Sequence, residues 1–361
     1  MPEKTGVLLI QLGTPDAPEP GPVRRYLREF LSDHRVVEIP RAIWLPILNG
    51  FVLTTRPKQS AAKYAKVWSK AGSPLMVNTR AQATLLRGYC GDRGLDIEVD
   101  WAMRYGQPAV GEALRAMRDK NVTRLLVLPL YPQFAGATTA TAFDAVAREL
   151  MTWRNLPELR FIRGFHKQDA YLDALAASIK ASWQHGGRPD KLVMSFHGVP
   201  EQTLLDGDPY HCECHVTGRL LADRLGLNES QWVLSFQSRF GKAKWVGPAT
   251  DAILAKLGKE KTSRVDVVCP GFVSDCLETL EEIAIEGRET FLEAGGGEFR
   301  YIPCLNDSSN FIEAMAKLVA VNAGGWPARR AQNPAEPRAD DPEAVCRQER
   351  QARAVSLGAN E

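Results

Sequence analysis

The sequence predicts an α/β fold made of two similar, doubly wound, Rossmann-like halves with parallel sheets and a cleft between them. Two observations carry this. Short apolar runs at 7–10, 125–128, 192–196 and 265–268, flanked by Gly and Pro, alternate with amphipathic stretches. That is the pattern of buried parallel strands joined by helices. The runs also recur in order. Residues 125–134 (LLVLPLYPQF) lie 140 positions before 265–274 (VDVVCPGFVS), and 159–176 stand at the same offset from 299–316. Residues 101–106 align with 232–237 at an offset of 131, and 7–15 with 192–200 near 185. Duplicated doubly wound halves leave a cleft where the carboxyl ends of their strands point.

Taken in order, residues 7–10 open the chain as a buried strand that turns at Gly13-Thr14-Pro15. The offset then falls from 185 to 131, so the first half carries an insertion of 54 residues between Pro15 and Trp101. Within it, residues 39–54 (IPRAIWLPILNGFVLT) are strongly apolar and broken by Pro40, Pro46 and Gly50. One reading is a helix packed into the core. The other is an apolar lip over a cleft, or a shallow membrane contact, and the absence of this segment from the second half favours it. Residues 159–176 and 299–316 each read as strand, polar loop and helix. From Gly324 to Glu361 four prolines and few large apolar residues predict a disordered tail. The expected boundaries are 1–185 for the first half, with the lip insertion at about 20–75, then 186–323 and 324–361.

The chain has 361 residues, too many for one small core. Its 45 Lys and Arg against 43 Asp and Glu argue against a nucleic-acid binder that relies on a basic surface. No run approaches the ~20 apolar residues of a spanning helix, and the start lacks the order of a signal peptide. Seven cysteines, an odd number spread from Cys90 to Cys346, do not form a secreted disulfide framework. A reduced, cytoplasmic protein is expected.

Two strand ends hold the chemistry. In Ser195-Phe196-His197-Gly198-Val199-Pro200 a histidine follows an apolar strand, where α/β folds place ligands. An imidazole there serves proton transfer or metal ligation, although a structural role is equally open. The second is residues 269–283 (CPGFVSDCLETLEEI), which leave a strand, turn at Pro-Gly and enter a helix. Glu278, Glu282 and Glu286 recur every four residues and stack on one helical face. A solvated acidic face is the bland reading. The destabilisation of like charges at that spacing, with no Lys or Arg interleaved, instead favours hard oxygen ligands on a path for a divalent cation.

Residues 195–200 (SFHGVP), 207–210 (GDPY), 247–251 (GPATD), 270–283 (PGFVSDCLETLEEI) and the opening 11–15 (QLGTP), in this order, resemble the ferrochelatase family. The resemblance spans residues 5–323. It implies a chelatase fold of two Rossmann-like halves and the insertion of ferrous iron into protoporphyrin IX to form protohaem. It places His197 and Glu278 as catalytic residues, and both with Glu282 and Glu286 on the metal side, the last two on an acidic ladder in a π-helical stretch. Leu12, Arg56, Arg104, Tyr105 and Trp245 fall on porphyrin-pocket positions. Animal members have a second histidine where this chain has Cys276, which leaves His197 as the lone imidazole.

Some members carry a [2Fe–2S] cluster on four cysteines. Cys212 and Cys214 are the first candidates here, with Cys269, Cys276 and Cys304 at strand or loop ends of the same half. The implied partners are protoporphyrin IX, ferrous iron and a transient membrane surface contacted through the lip at the inner face of the membrane; the sequence names no iron donor. Three other readings stay open: a chelatase for coproporphyrin or another tetrapyrrole, a non-catalytic porphyrin or haem carrier, and a zinc hydrolase built on residues 211–215 (HCECH).

Overall fold

The structure is a computed structural model that describes residues 3–239, 241 and 243–326. The first half runs β1 (Lys4–Gly13), α1 (Pro20–Leu31), α2 (Arg41–Ile47), a short π-helix (Leu48–Val52), α3 (Leu53–Val67), α4 (Pro74–Asp92), β2 (Ile97–Tyr105), α5 (Val110–Asp119), β3 (Val122–Pro129), a π-turn (Gly136–Ala140), α6 (Thr141–Leu150), β4 (Glu158–Phe161) and α7 (Asp169–Gly186). The second runs β5 (Lys191–His197), α8 (Glu201–Leu205), α9 (Tyr210–Leu225), a 3-10 turn (Glu229–Gln231), β6 (Trp232–Gln237), α10 (Thr250–Lys259), β7 (Arg264–Val268), a ten-residue π-helix (Glu278–Gly287), α11 (Arg288–Glu293), β8 (Glu298–Tyr301) and α12 (Ser309–Asn322).

The strands form two four-stranded sheets, ordered β2-β1-β3-β4 and β6-β5-β7-β8, and every pair is parallel. The same order in both is the duplication read from the sequence. Gly6 pairs with Leu125 and Lys191 with Val265, which keeps the offsets of 185 and 140. The third offset needs correction. Val7 pairs with Val99, whereas its counterpart Leu192 pairs with Trp232, so Trp232 matches Val99 and the offset is 133 rather than 131. The insertion is therefore 52 residues, not 54. A two-residue slip leaves every side chain on its original face, so an apolar pattern cannot detect it.

Each sheet keeps its own core on one face, around Leu8 and Val127 in the first half and Val193 and Val267 in the second, and the two share a core on the other. Leu9, Leu86 and Leu126 belong to one continuous apolar cluster with Met194, Phe236 and Phe311. The last helix of each half crosses over: α7 packs on α9, and α12 packs on both α4 and α7. Local signals fix the boundaries. Ser73 accepts the Met76 N–H ahead of Pro74 at the start of α4, and Gly226, at φ 63°, ends α9 in the left-handed conformation. Gly13, at φ 118°, lies where a Cβ would stand 1.8 Å from the Tyr105 carbonyl oxygen, so β1 leaves the sheet only through glycine.

The insertion is helical, with α1 packed on α3. Its apolar segment is not uniformly exposed. Ile39, Ile43, Ile47 and Phe51 face out, while Leu48 is fully buried and Trp44, Leu45 and Val52 pack against Leu31, Leu48 and Leu53. Trp44 also donates its indole N–H to the Leu31 carbonyl. The lip is thus half core and half surface, one stripe of a helix for each. At the other end, the boundary of the expected tail is misplaced. Trp326 is buried, and Arg160 stacks on its ring at 4.1 Å. Residues 327–361 lie outside the described residues. Among those described, no helix is long and apolar enough to cross a membrane.

Candidate functional site

His197 is the last residue of β5 and half-buried. Its Nδ1 lies 2.6 Å from the Gly198 carbonyl oxygen, which can only accept. Nδ1 therefore carries a proton, and in the neutral ring Nε2 presents a lone pair. Gly198 leaves room for the Trp245 ring, which a Cβ there would approach to 3.2 Å, and Trp245 bridges to Pro200. Phe272 stands 6.4 Å from the imidazole centroid.

Gln237 pairs in register with His197 across the sheet and links it to the acidic helix. Ser195 Oγ donates to its Oε1 at 2.8 Å, which fixes the amide. Its Nε2 then donates to the Glu278 carbonyl at 2.8 Å and points to Glu282 Oε2 at 3.4 Å. Ser238, with N–H 2.6 Å from Oε1 and a hydroxyl on Oε2, holds the Glu282 carboxylate. Burial pushes the Glu282 carboxyl up, and Ser238 and the nearby His197 offset this only partly.

The acidic segment forms a π-helix, closed by i→i+5 bonds, not an α-helix with three carboxylates in one row. The three diverge. Glu278 lies near the buried phenols of Tyr26 and Tyr64, whose ionisation is opposed first by burial and then, for both, by that carboxylate among other neighbours. Glu282 faces Ser238. Glu286 takes Lys63 Nζ at 2.7 Å. No Lys or Arg interleaves with them on the helix, as the sequence shows, but the charge of Glu286 is relieved from outside it. The relief comes from α3, more than two hundred residues away in sequence, where neither spacing nor composition of the helix reveals it. Among the described residues no three His, Cys, Asp or Glu side chains are arranged to hold a metal ion, so His197, Glu278, Glu282 and Glu286 do not form one coordination sphere. A cavity of about 660 Å³ is lined by Trp245, Ser238, Glu282 and Glu286 and leaves out His197 and Glu278.

The pocket positions divide. Leu12 is half-buried, and Arg56 stands exposed on α3 just past the lip. Tyr105 is fully buried and donates its hydroxyl to Asp33 at 2.9 Å, so it forms no wall of an open pocket. Arg104 is nearly buried. Its Nη2 pairs with Asp33, and its Nε donates to Thr141 Oγ1 at 2.7 Å. Asp33 closes α1 against β2 and α6, a connection absent from any local pattern. Tyr131, whose hydroxyl is buried without a hydrogen-bond partner, lies near Arg104 and Tyr105.

The cysteines do not fit an iron–sulfur cluster. Cys212 is exposed and Cys214 fully buried, on opposite faces of α9 as a two-residue spacing dictates. They cannot serve as a ligand pair. Cys269, Cys276 and Cys304 are buried, and among the described residues no three cysteines are arranged to hold a metal ion. The zinc reading of residues 211–215 fails likewise. His211 and His215 stack near Phe236, whereas Glu213 turns to Arg163, His166 and the Phe134 N–H.

A family model described as ferrochelatase matches residues 4–323. The chain is similar to the ferrochelatase of Chromobacterium violaceum, 60% identical over 331 residues and 91% of each chain. It is also similar to that of Aromatoleum aromaticum, 58% identical over 326 residues, 90% of this chain and 89% of the other. With the ferrochelatase of Thioalkalivibrio sulfidiphilus it shares 53% identity over 361 residues, covering 100% and 96%. Among solved structures it resembles SirB from Bacillus subtilis with Fe3+, with a TM-score of 0.55 over 89% of this chain and 96% of that one. At 10% identity that likeness concerns the fold alone.

Proposed function

This chain belongs to the ferrochelatase family and inserts ferrous iron into a porphyrin in haem synthesis, and we propose that its substrate is protoporphyrin IX and that His197 and Glu278 carry the reaction. A free porphyrin holds two N–H protons in its ring plane, and Fe2+ adds as both leave, so charge and atoms balance. The enzyme must bend the ring to expose its lone pairs, receive two protons and supply the dication. Bending is ground-state strain of ~1–5 kcal/mol, supported by binding of the rest of the macrocycle. Trp245 and the lip provide apolar surface for that binding.

The observation that carries the reading is the pairing of His197 with Gln237. It couples an imidazole whose Nε2 can accept a proton to the helix that bears Glu278 and Glu282. His197 takes one pyrrole proton. Glu278 takes the second or passes the metal inward, while Glu286 and Glu282 form the stations of a cation route. Stations that diverge suit a substrate metal, which must leave each group as readily as it binds. The test is anaerobic incubation of the purified protein with ferrous iron and either protoporphyrin or coproporphyrin, following metalloporphyrin absorbance. Faster turnover of protoporphyrin is expected. Much faster turnover of coproporphyrin would overturn the preference, which rests on the apolar lip.

The protein is further read as cytoplasmic, touching the membrane surface reversibly through the lip, because its product and substrate partition into lipid. The outward residues of the lip include Ile43, Ile47 and Phe51. Replacing these three by Ser is expected to reduce flotation with liposomes while leaving the melting temperature near that of the native chain. Equal flotation of both forms would sink the idea. Trp44 is unsuitable for this test, since its indole packs inward and holds the Leu31 carbonyl.

A further inference from the structure

Glu281 plays no part in the reaction as described, yet it is the most deeply buried carboxylate of the π-helix, at 1% exposed. Its two oxygens accept Lys63 Nζ at 2.8 Å and Lys66 Nζ at 2.9 Å. Lys63 Nζ donates in addition to Glu286 Oε1 at 2.7 Å. Both lysines stand on α3, which follows the lip without a break. Glu286 itself is 44% exposed and borders the cavity that leads to Glu282.

We propose that Lys63 is a positioning residue of the cation route: pinned by Glu281, it holds a fixed positive charge against Glu286 and so keeps that outer carboxylate from retaining an entering dication. This rests on the reading of Glu286 and Glu282 as a cation route and deepens it. A group that passes an ion onward must bind it well enough to attract it and weakly enough to release it. Two features make Lys63 suited to setting that balance. It cannot swing away cheaply, because leaving would strip a buried carboxylate of one of its two cations. It also cannot neutralise Glu286 fully, because it shares its charge with Glu281. The same bonds fasten the π-helix to the lip-bearing insertion, so the helix that carries Glu278 is located by α3 as well as by Gln237 and Ser238.

The test is calorimetric binding of Co2+ to the porphyrin-free protein, alongside steady-state rates against metal concentration. Lys63→Met is expected to tighten cation binding about 5-fold, the equivalent of one partly exposed ion pair. It should lower both the metal KM and kcat, because the cation is held at the outer carboxylate. Lys63→Arg should restore native values. Since Lys63→Met leaves Glu281 with one partner, the double variant Lys63→Met with Glu281→Gln removes the stranded charge and should show the same tightening. The gain should vanish when Glu286→Gln is added. Unchanged cation affinity in both Lys63→Met forms, or a gain that survives Glu286→Gln, overturns the proposal. The underlying route fails separately: in that case Glu286→Gln alone leaves cation affinity and metal KM at native values.

Discussion

His197→Ala is expected to lower kcat by roughly 10²–10⁴-fold, the usual contribution of a positioned general base, while porphyrin affinity stays near native. The size of the effect follows from the absence of a substitute. Where animal relatives are implied to have a second histidine, this chain has Cys276, which is buried and whose thiol is pushed up chiefly by burial and then by Glu278. Such a thiol is buried and keeps its own proton, so it offers no free base for a pyrrole proton. The imidazole is held by its Nδ1 bond to Gly198, so truncation removes the acceptor without disturbing the sheet. Turnover at saturating iron and porphyrin measures the loss, and fluorescence quenching of bound porphyrin measures affinity. Near-native turnover would return His197 to the status of an ordinary strand-end residue.

Glu278→Gln is expected to cripple turnover to a similar degree, on the order of 10²-fold or more. Glutamine preserves shape and most hydrogen bonding but not the charge that meets the dication or accepts the second proton. Folding should survive, because the main-chain carbonyl that receives Gln237 is untouched. Removing the charge also relieves the buried phenols of Tyr26 and Tyr64, both of which it disfavours from ionising. The measurement is initial rate against metal concentration at saturating porphyrin. If Glu278→Gln kept most of the native rate, this carboxylate would be no more than a half-buried helix residue.

Much of this architecture was legible because buried parallel strands write continuous apolar runs, and two copies of the same half write them twice. The two parallel sheets, the presence of an insertion in the first half and the strand-end position of His197 follow from that signal, whereas the strand order within each sheet is seen only in the structure. What stayed hidden depends on contacts between distant segments. Lys63 and Lys66 reach Glu281 and Glu286 from an insertion that has no counterpart in the second half. Tyr26 and Tyr64, on the same insertion, close around Glu278. Asp33 claims Arg104 and Tyr105, both of which the resemblance had assigned to a pocket. The cysteine assignment is a different case. Two residues apart on a helix cannot face one site, so the opposition of Cys212 and Cys214 was readable once residues 210–225 were taken as helical.

The location of a bound dication tests the cation route most directly. Crystals of the porphyrin-free protein soaked in Co2+, with data collected at the cobalt edge, should show an anomalous peak on the π-helix at Glu282 and, at Glu286, a peak weaker than in crystals of Lys63→Met. Peaks confined to His211 and His215, with none on the π-helix, would contradict the account.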